Sequence, residues 1–143
     1  MGKIIKILKL GRIYFLVPGF LIYLSGILFS VLTGSDFEIK KLILGYLPLF
    51  LAQLSVSYSN DYYDMESDKK SNPTIFSGGS KVLVNNPELK YISKWISISL
   101  IILSLIFAAV FTLIFKINYI FLIIIVLVNA IGWFYSAAPI KFS

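Results

Sequence analysis

Residues 95–140 read WISISLIILSLIFAAVFTLIFKINYIFLIIIVLVNAIGWFYSAAPI, and Lys116 is the only charged residue among them. A helix crosses the hydrocarbon core with about 20 apolar residues. One helix over the whole stretch would be about twice that length, so the chain must fold back on itself. The break falls at Lys116-Ile117-Asn118, where a charge and an amide stand together. This predicts membrane helices over 92–115 and 118–138, joined by a tight hairpin. Two stretches further upstream, 13–35 and 42–60, also lack Asp, Glu, Lys and Arg. They predict helices over 13–33 and 42–60. The first is too long for the apolar region of a signal peptide, and no small-residue cleavage site follows it. The expected fold class is an all-α membrane protein of four transmembrane helices. It forms a single transmembrane domain over 1–143, with a long loop over 61–91.

Composition agrees. Of 143 residues, 58% are hydrophobic and 14% charged, and mean hydropathy is +0.87. Soluble domains run at about 45–50% apolar and about 25% charged. A soluble protein of this size has too little interior to hide so much apolar surface. Disorder needs the opposite composition. There is no cysteine and no histidine, which removes disulfide frameworks, zinc centres, thiol nucleophiles and Ser-His-Asp chemistry. Carboxylates, amides, hydroxyls, Lys, Arg and bound ions remain. The net charge of +6 is explained first by topology, so the expected partner is the lipid bilayer and not nucleic acid. Lys3, Lys6, Lys9, Arg12, Lys69, Lys70, Lys81, Lys90, Lys94 and Lys141 fall on one side of a four-span chain, against Lys40, Lys41 and Lys116 on the other. The bias predicts a multi-pass cell-membrane protein with both termini and the long loop cytoplasmic.

The long loop also opens on acids, Asn60-Asp61-Tyr62-Tyr63-Asp64-Met65-Glu66-Ser67-Asp68. If the second span continues as a helix, Asp61, Asp64 and Asp68 share about 60° of arc, with Asn60 beside Asp64 and Glu66 on the other side. Such a stripe repels itself, suffers near the bilayer and opposes the macrodipole at a helix C-terminus. A divalent cation relieves all three problems, and Mg²⁺ suits one or two carboxylates shared with a phosphate group. The plain alternative is a set of solvated membrane-edge residues. An EF-hand is a poor fit, because its ligand alternation, central Gly and final Glu are absent. Lys69, Lys70 and, after Ser77-Gly78-Gly79-Ser80, Lys81 are suited to phosphate oxygens. The glycine pair alone is equally a simple turn.

These residues resemble the first aspartate-rich motif of the UbiA superfamily of intramembrane prenyltransferases, Asn-Asp-x-x-Asp-x-x-x-Asp, matched by Asn60, Asp61, Asp64 and Asp68. Arg12, Pro18 and Gly26 look like the family's opening of the first span. Thr74-Ile75-Phe76-Ser77-Gly78-Gly79-Ser80 is similar to a loop of the menaquinone-type, dihydroxynaphthoate branch, and Tyr135-Ser136-Ala137-Ala138-Pro139 to the Tyr-Ser-x-x-Pro segment closing the fourth span. The resemblance implies Mg²⁺-dependent transfer of a polyprenyl group from its diphosphate to an aromatic acceptor in quinone biosynthesis. The partners would be a polyprenyl diphosphate and the acceptor. It implies that Asn60, Asp64 and Asp68 are metal and diphosphate ligands with Asp61 supporting, and that Asp64 and Asp68 are the catalytic pair. Lys69, Lys70, Lys81 and Arg12 would face the diphosphate, and Tyr58 and Tyr62 would line the prenyl tunnel. For the two tyrosines an interfacial aromatic belt is the alternative.

Members of that family have about nine spans and a second aspartate motif. The expectation is that this chain corresponds to the N-terminal half of the bundle, with a C-terminal half as a further partner. A second function class stays open: a non-catalytic four-span protein that binds isoprenoid or partner helices. A CDP-alcohol phosphotransferase also uses aspartates on a membrane helix, but Asp64-Met65-Glu66-Ser67 does not supply the Gly, Ala and Arg its pattern needs.

Overall fold

A backbone deprived of water must satisfy its N–H and C=O groups within its own segment, so apolar runs become helices. The structure, a computed structural model, describes residues 2–70 and 80–137, and every regular element in them is helical. The elements are α1 (Lys3–Leu10), α2 (Leu16–Leu32), α3 (Ile39–Lys70), α4 (Val82–Asn85), α5 (Lys90–Phe115) and α6 (Ile120–Ser136). Short 3₁₀ turns occupy Ile13–Phe15 and Pro87–Leu89. Three helical stretches are long and apolar enough to cross a membrane: Lys3–Leu32, Ile39–Lys70 and Pro87–Phe115. The fourth, Ile120–Ser136, is apolar but shorter, about 26 Å against a hydrocarbon core of about 30 Å. The chain is an all-helical bundle of three to four long apolar helices.

Its outer surface is hydrophobic. Ile22, Phe29, Ile102, Leu113 and Leu127 all stand exposed, a costly surface in water and an ordinary one in lipid. Exposed Tyr14, Tyr91 and Trp95 gather at one end of the bundle, and Phe37 and Tyr119 at the other. Aromatic side chains at both ends of apolar helices suit the polar boundaries of a bilayer.

α3 is the hub, with α2, α5 and α6 all packed on it and α5 most extensively. Without a hydrophobic drive between helices in lipid, close approach and interhelical hydrogen bonds must hold them together. Three fully buried serines of α5 supply the bonds. Ser93 Oγ donates to the Tyr58 carbonyl (2.9 Å), Ser97 Oγ to Ser55 (2.8 Å) and Ser104 Oγ to Pro48 (2.8 Å). From α6, the Asn129 amide donates to Ser104 Oγ (3.0 Å). Glycine supplies the close approach. A Cβ on Gly132 of α6 would sit 2.5 Å from Val56 Cγ2, and one on Gly19 of α2 only 1.5 Å from Gln53 Nε2.

The hairpin turns on Lys116, left-handed at φ 51. The Ile117 N–H returns to the Thr112 carbonyl (3.1 Å), and the Asn118 side chain accepts the Ile120 N–H (3.0 Å). Two features differ from the sequence reading. The N-terminal lysines sit on a helix of their own, α1, set off from α2 by Arg12 at φ 42. The long loop holds further helical turns, which press Val82, Leu83 and Leu89 against Leu10, Tyr58 and Met65 in a buried apolar cluster.

Candidate functional site

α3 continues as a helix through Lys70, ten residues beyond its apolar run, and so carries all three aspartates on one rigid element. Asp61 is 2% exposed and forms an ion pair with the Arg12 guanidinium. It also accepts hydrogen bonds from the Ser80 hydroxyl and, at 3.3 Å, from the Ser80 N–H. Arg12 reaches it because the left-handed backbone there turns the chain between α1 and α2. Asp61 therefore ties three segments together: the start of α2, the extension of α3 and the chain entering α4.

One turn on, Asp64 and Asn60 face the end of α6. Ser136 Oγ donates to Asp64 Oδ2 at 2.8 Å and lies 3.0 Å from Asn60 Oδ1. One hydroxyl thus brings the carboxylate and the amide oxygen to a common point. Asp68, also buried, lies about 12 Å along the helix from Asn60, past the apolar run of α3. Burial pushes its carboxyl above the ordinary range, the neighbouring Asp61 charge adds to this, and Arg12 opposes it. The three aspartates form one electrostatic unit.

Among the described residues, no three acidic side chains close around one point that a metal ion could fill. Mg²⁺ does not need such a cage, since it keeps several waters and takes one or two carboxylates with substrate phosphate. Asn60 and Asp64, brought together at Ser136, fit that open arrangement, and Asp68, one turn further on, could share an ion with Asp64 but not with Asn60. Asp61, committed to Arg12 and Ser80, fits a supporting place.

The basic residues divide. Arg12 is on the stripe, and Lys81, at φ 53 in the turn before α4, is close enough for its charge to act on Asp68. Lys69 instead pairs with Glu66 at 2.8 Å on an exposed face, and Lys70 is exposed as well. The helix puts them about 80° and 180° from Asp61, so they do not join the aspartates. The tyrosines divide too. Tyr58 is buried in the apolar cluster, and its hydroxyl donates to the Ile7 carbonyl of α1 (3.1 Å). Tyr62 packs edge-on against Tyr63, with Lys90 and Lys94 Nζ 5.3 and 5.5 Å from its ring centre. Tyr63 in turn meets Trp133 of α6 edge-on. Ser77, Gly78 and Gly79, the rest of the 74–79 segment, and Ala138, Pro139 and Lys141 lie outside the described residues.

Spacing within the sequence carried no signal that Ser80 and Ser136 meet the aspartates. Ser136 stood out only within the Tyr-Ser-x-x-Pro segment. The arrangement defines a helical membrane-type protein with a carboxylate cluster at one end of its bundle, braced by an arginine and two serines. Compared with protein-family models, curated proteins and solved structures, the chain has no match.

Proposed function

We propose that the chain carries the first aspartate-rich half of a UbiA-type site for Mg²⁺-dependent polyprenyl transfer to an aromatic acceptor. One observation carries this reading. The two segments that resembled the family, Asn60–Asp68 and Tyr135-Ser136, are far apart in sequence yet meet side chain to side chain at Ser136, Asn60 and Asp64. Arg12, from the third segment of the resemblance, joins the same face. Asp64, with Asn60 on one side of it and Asp68 on the other, would hold Mg²⁺, which when bound offsets diphosphate charge and eases its departure. Ser136 fixes Asp64 in position. Arg12 and Lys81 bring positive charge to the face where the diphosphate would sit. The surrounding apolar helices keep water from the electron-poor prenyl group.

The test is Mg²⁺-dependent transfer of a labelled polyprenyl group to dihydroxynaphthoate, with hydroxybenzoate in parallel, in membranes containing the protein. Loss of transfer in Asp64→Asn and in Asp68→Asn is expected. Turnover retained in both removes the assignment, and preference for the benzoate removes the naphthoate acceptor.

A second reading, a non-catalytic protein that binds isoprenoid or partner helices, is favoured by one observation. Asp61 and Tyr58 spend their polar atoms on internal ties, to Arg12 and Ser80 and to Ile7. On that reading the aspartate variants change assembly and not turnover.

A further inference from the structure

We infer that α1 lies in the plane of the membrane surface and binds acidic phospholipid headgroups of the leaflet on its side. The inference rests on the membrane-spanning character of the bundle and not on the prenyl-transfer reading. Around the axis of α1 the side chains fall into sectors at about 100° per residue. Ile7 and Leu10 face inward, where Leu10 is fully buried and Ile7 packs on the apolar cluster. Ile4, Ile5 and Leu8 form a second sector and are 74%, 50% and 58% exposed. Lys9 stands exposed in a third sector with Lys6, whose Nζ donates to Asn86 Oδ1, and Lys3 stands exposed in the first turn, on the side of Ile7 and Leu10. A helix solvated on its outer side has no use for three adjacent bare aliphatic side chains. A helix lying flat, apolar sector down and lysines level with the phosphates, accounts for both.

The depth of α1 fits independently. It docks on Tyr58, near the end of the apolar run of α3, through the Tyr58 hydroxyl and the Ile7 carbonyl. That is also the end of the bundle where Tyr14, Tyr91 and Trp95 stand exposed. The turn at Arg12 redirects the chain between α1 and α2, so on this placement α2, 17 residues long like α6, crosses without the α1 part of the Lys3–Leu32 stretch. The occupant of the outer face is lipid, because the face continues the lipid-facing surface of the spans. It is acidic lipid, because lysines border the apolar sector.

The chain has no cysteine, so a spin label can be placed at one site. The full chain is reconstituted in vesicles of phosphatidylcholine with about one-third phosphatidylglycerol, labelled at Ile4→Cys, Leu8→Cys or Lys9→Cys, with Ile124→Cys in α6 as the bilayer reference. Labels at positions 4 and 8 are expected to collide with oxygen more than with a water-soluble nickel chelate, and the label at 9 the reverse. Nickel access equal at all three, with position 124 protected, overturns the inference while leaving the membrane bundle intact. An exposed label at 124 overturns the membrane reading beneath it. In parallel, native mass spectrometry counts retained phosphatidylglycerol. Lys3→Gln/Lys9→Gln is expected to weaken retention at least fivefold, about what one surface lysine contributes, and Lys40→Gln/Lys41→Gln to leave it unchanged. Equal retention in both pairs overturns the headgroup role.

Discussion

Ser136 Oγ stands 2.8 Å from Asp64 Oδ2, fastening the last turn of α6 to the carboxylate face of α3. The same oxygen is 3.0 Å from Asn60 Oδ1, so the hydroxyl holds the Asp64 carboxylate beside the amide oxygen that the proposed cation would share. Groups that orient ligands in this way typically account for a 10–100-fold difference in metal affinity. Ser136→Ala is expected to weaken apparent Mg²⁺ affinity by about tenfold with little change in melting temperature. A Mg²⁺ titration followed by tryptophan fluorescence, with Trp133 three residues away, checks it. Unchanged affinity would show that the hydroxyl positions nothing of consequence.

In the Arg12–Asp61 pair the carboxylate is buried and the guanidinium is mostly shielded from solvent. Removing one member of a buried pair strands the other charge and costs about 3–5 kcal/mol, whereas replacing both by apolar groups can be near neutral. Arg12→Met is therefore expected to destabilise the chain more than Arg12→Met/Asp61→Leu does. Unfolding in detergent measures both. A double variant worse than the single one contradicts the account of Asp61 as a charge that depends on Arg12.

Gly132 lets α6 approach Val56 of α3. Gly132→Ala would crowd that contact at a cost of about 1–3 kcal/mol. Val56→Ala, placed in the same chain, is expected to recover most of the loss. No recovery in the double variant would put the tight contact elsewhere.

Burial and the Asp61 charge hold the Asp68 carboxyl above its ordinary value of 3.8. The folded chain then binds that proton more tightly than the unfolded one, so this site favours folding as pH falls toward 3.8 and opposes it above the raised value. Asp68→Asn, neutral throughout, is expected to melt higher than the parent at pH 7.5 in the absence of metal. The difference should shrink as the pH is lowered toward 3.8. A lower melting temperature for the variant at pH 7.5 would show the charge to be well accommodated.

Much of the architecture was legible in the sequence, for a reason that residues 95–140 show. In lipid, length and the absence of charge nearly suffice to place a helix, and Lys116 alone marks the hairpin. The aspartate stripe was legible by the same helical geometry, because α3 stays helical to Lys70. Lys69 and Lys70, suited to phosphate by type, lie off the aspartate face in the structure. Their side of the helix follows from the same wheel, but the choice of Glu66 as partner for Lys69 depends on where neighbours stand. The roles of Ser80 and Ser136 were not legible, since serine has no preferred distance in sequence from the carboxylate it meets. α1 was hidden for a different reason. Eight residues are too few to span a bilayer, and its helical form depends on docking to Tyr58 and Leu83.

The central claim is that Asn60, Asp64 and Asp68 form a Mg²⁺-dependent diphosphate site. Equilibrium binding of a labelled polyprenyl diphosphate to the chain in lipid nanodiscs tests it most directly, with Mg²⁺ and with chelator. The account predicts saturable binding that needs Mg²⁺, is lost in Asp64→Asn/Asp68→Asn and survives in Glu66→Gln, whose side chain points away from the stripe. Binding that is equal in chelator, or unchanged in the double variant, would contradict it.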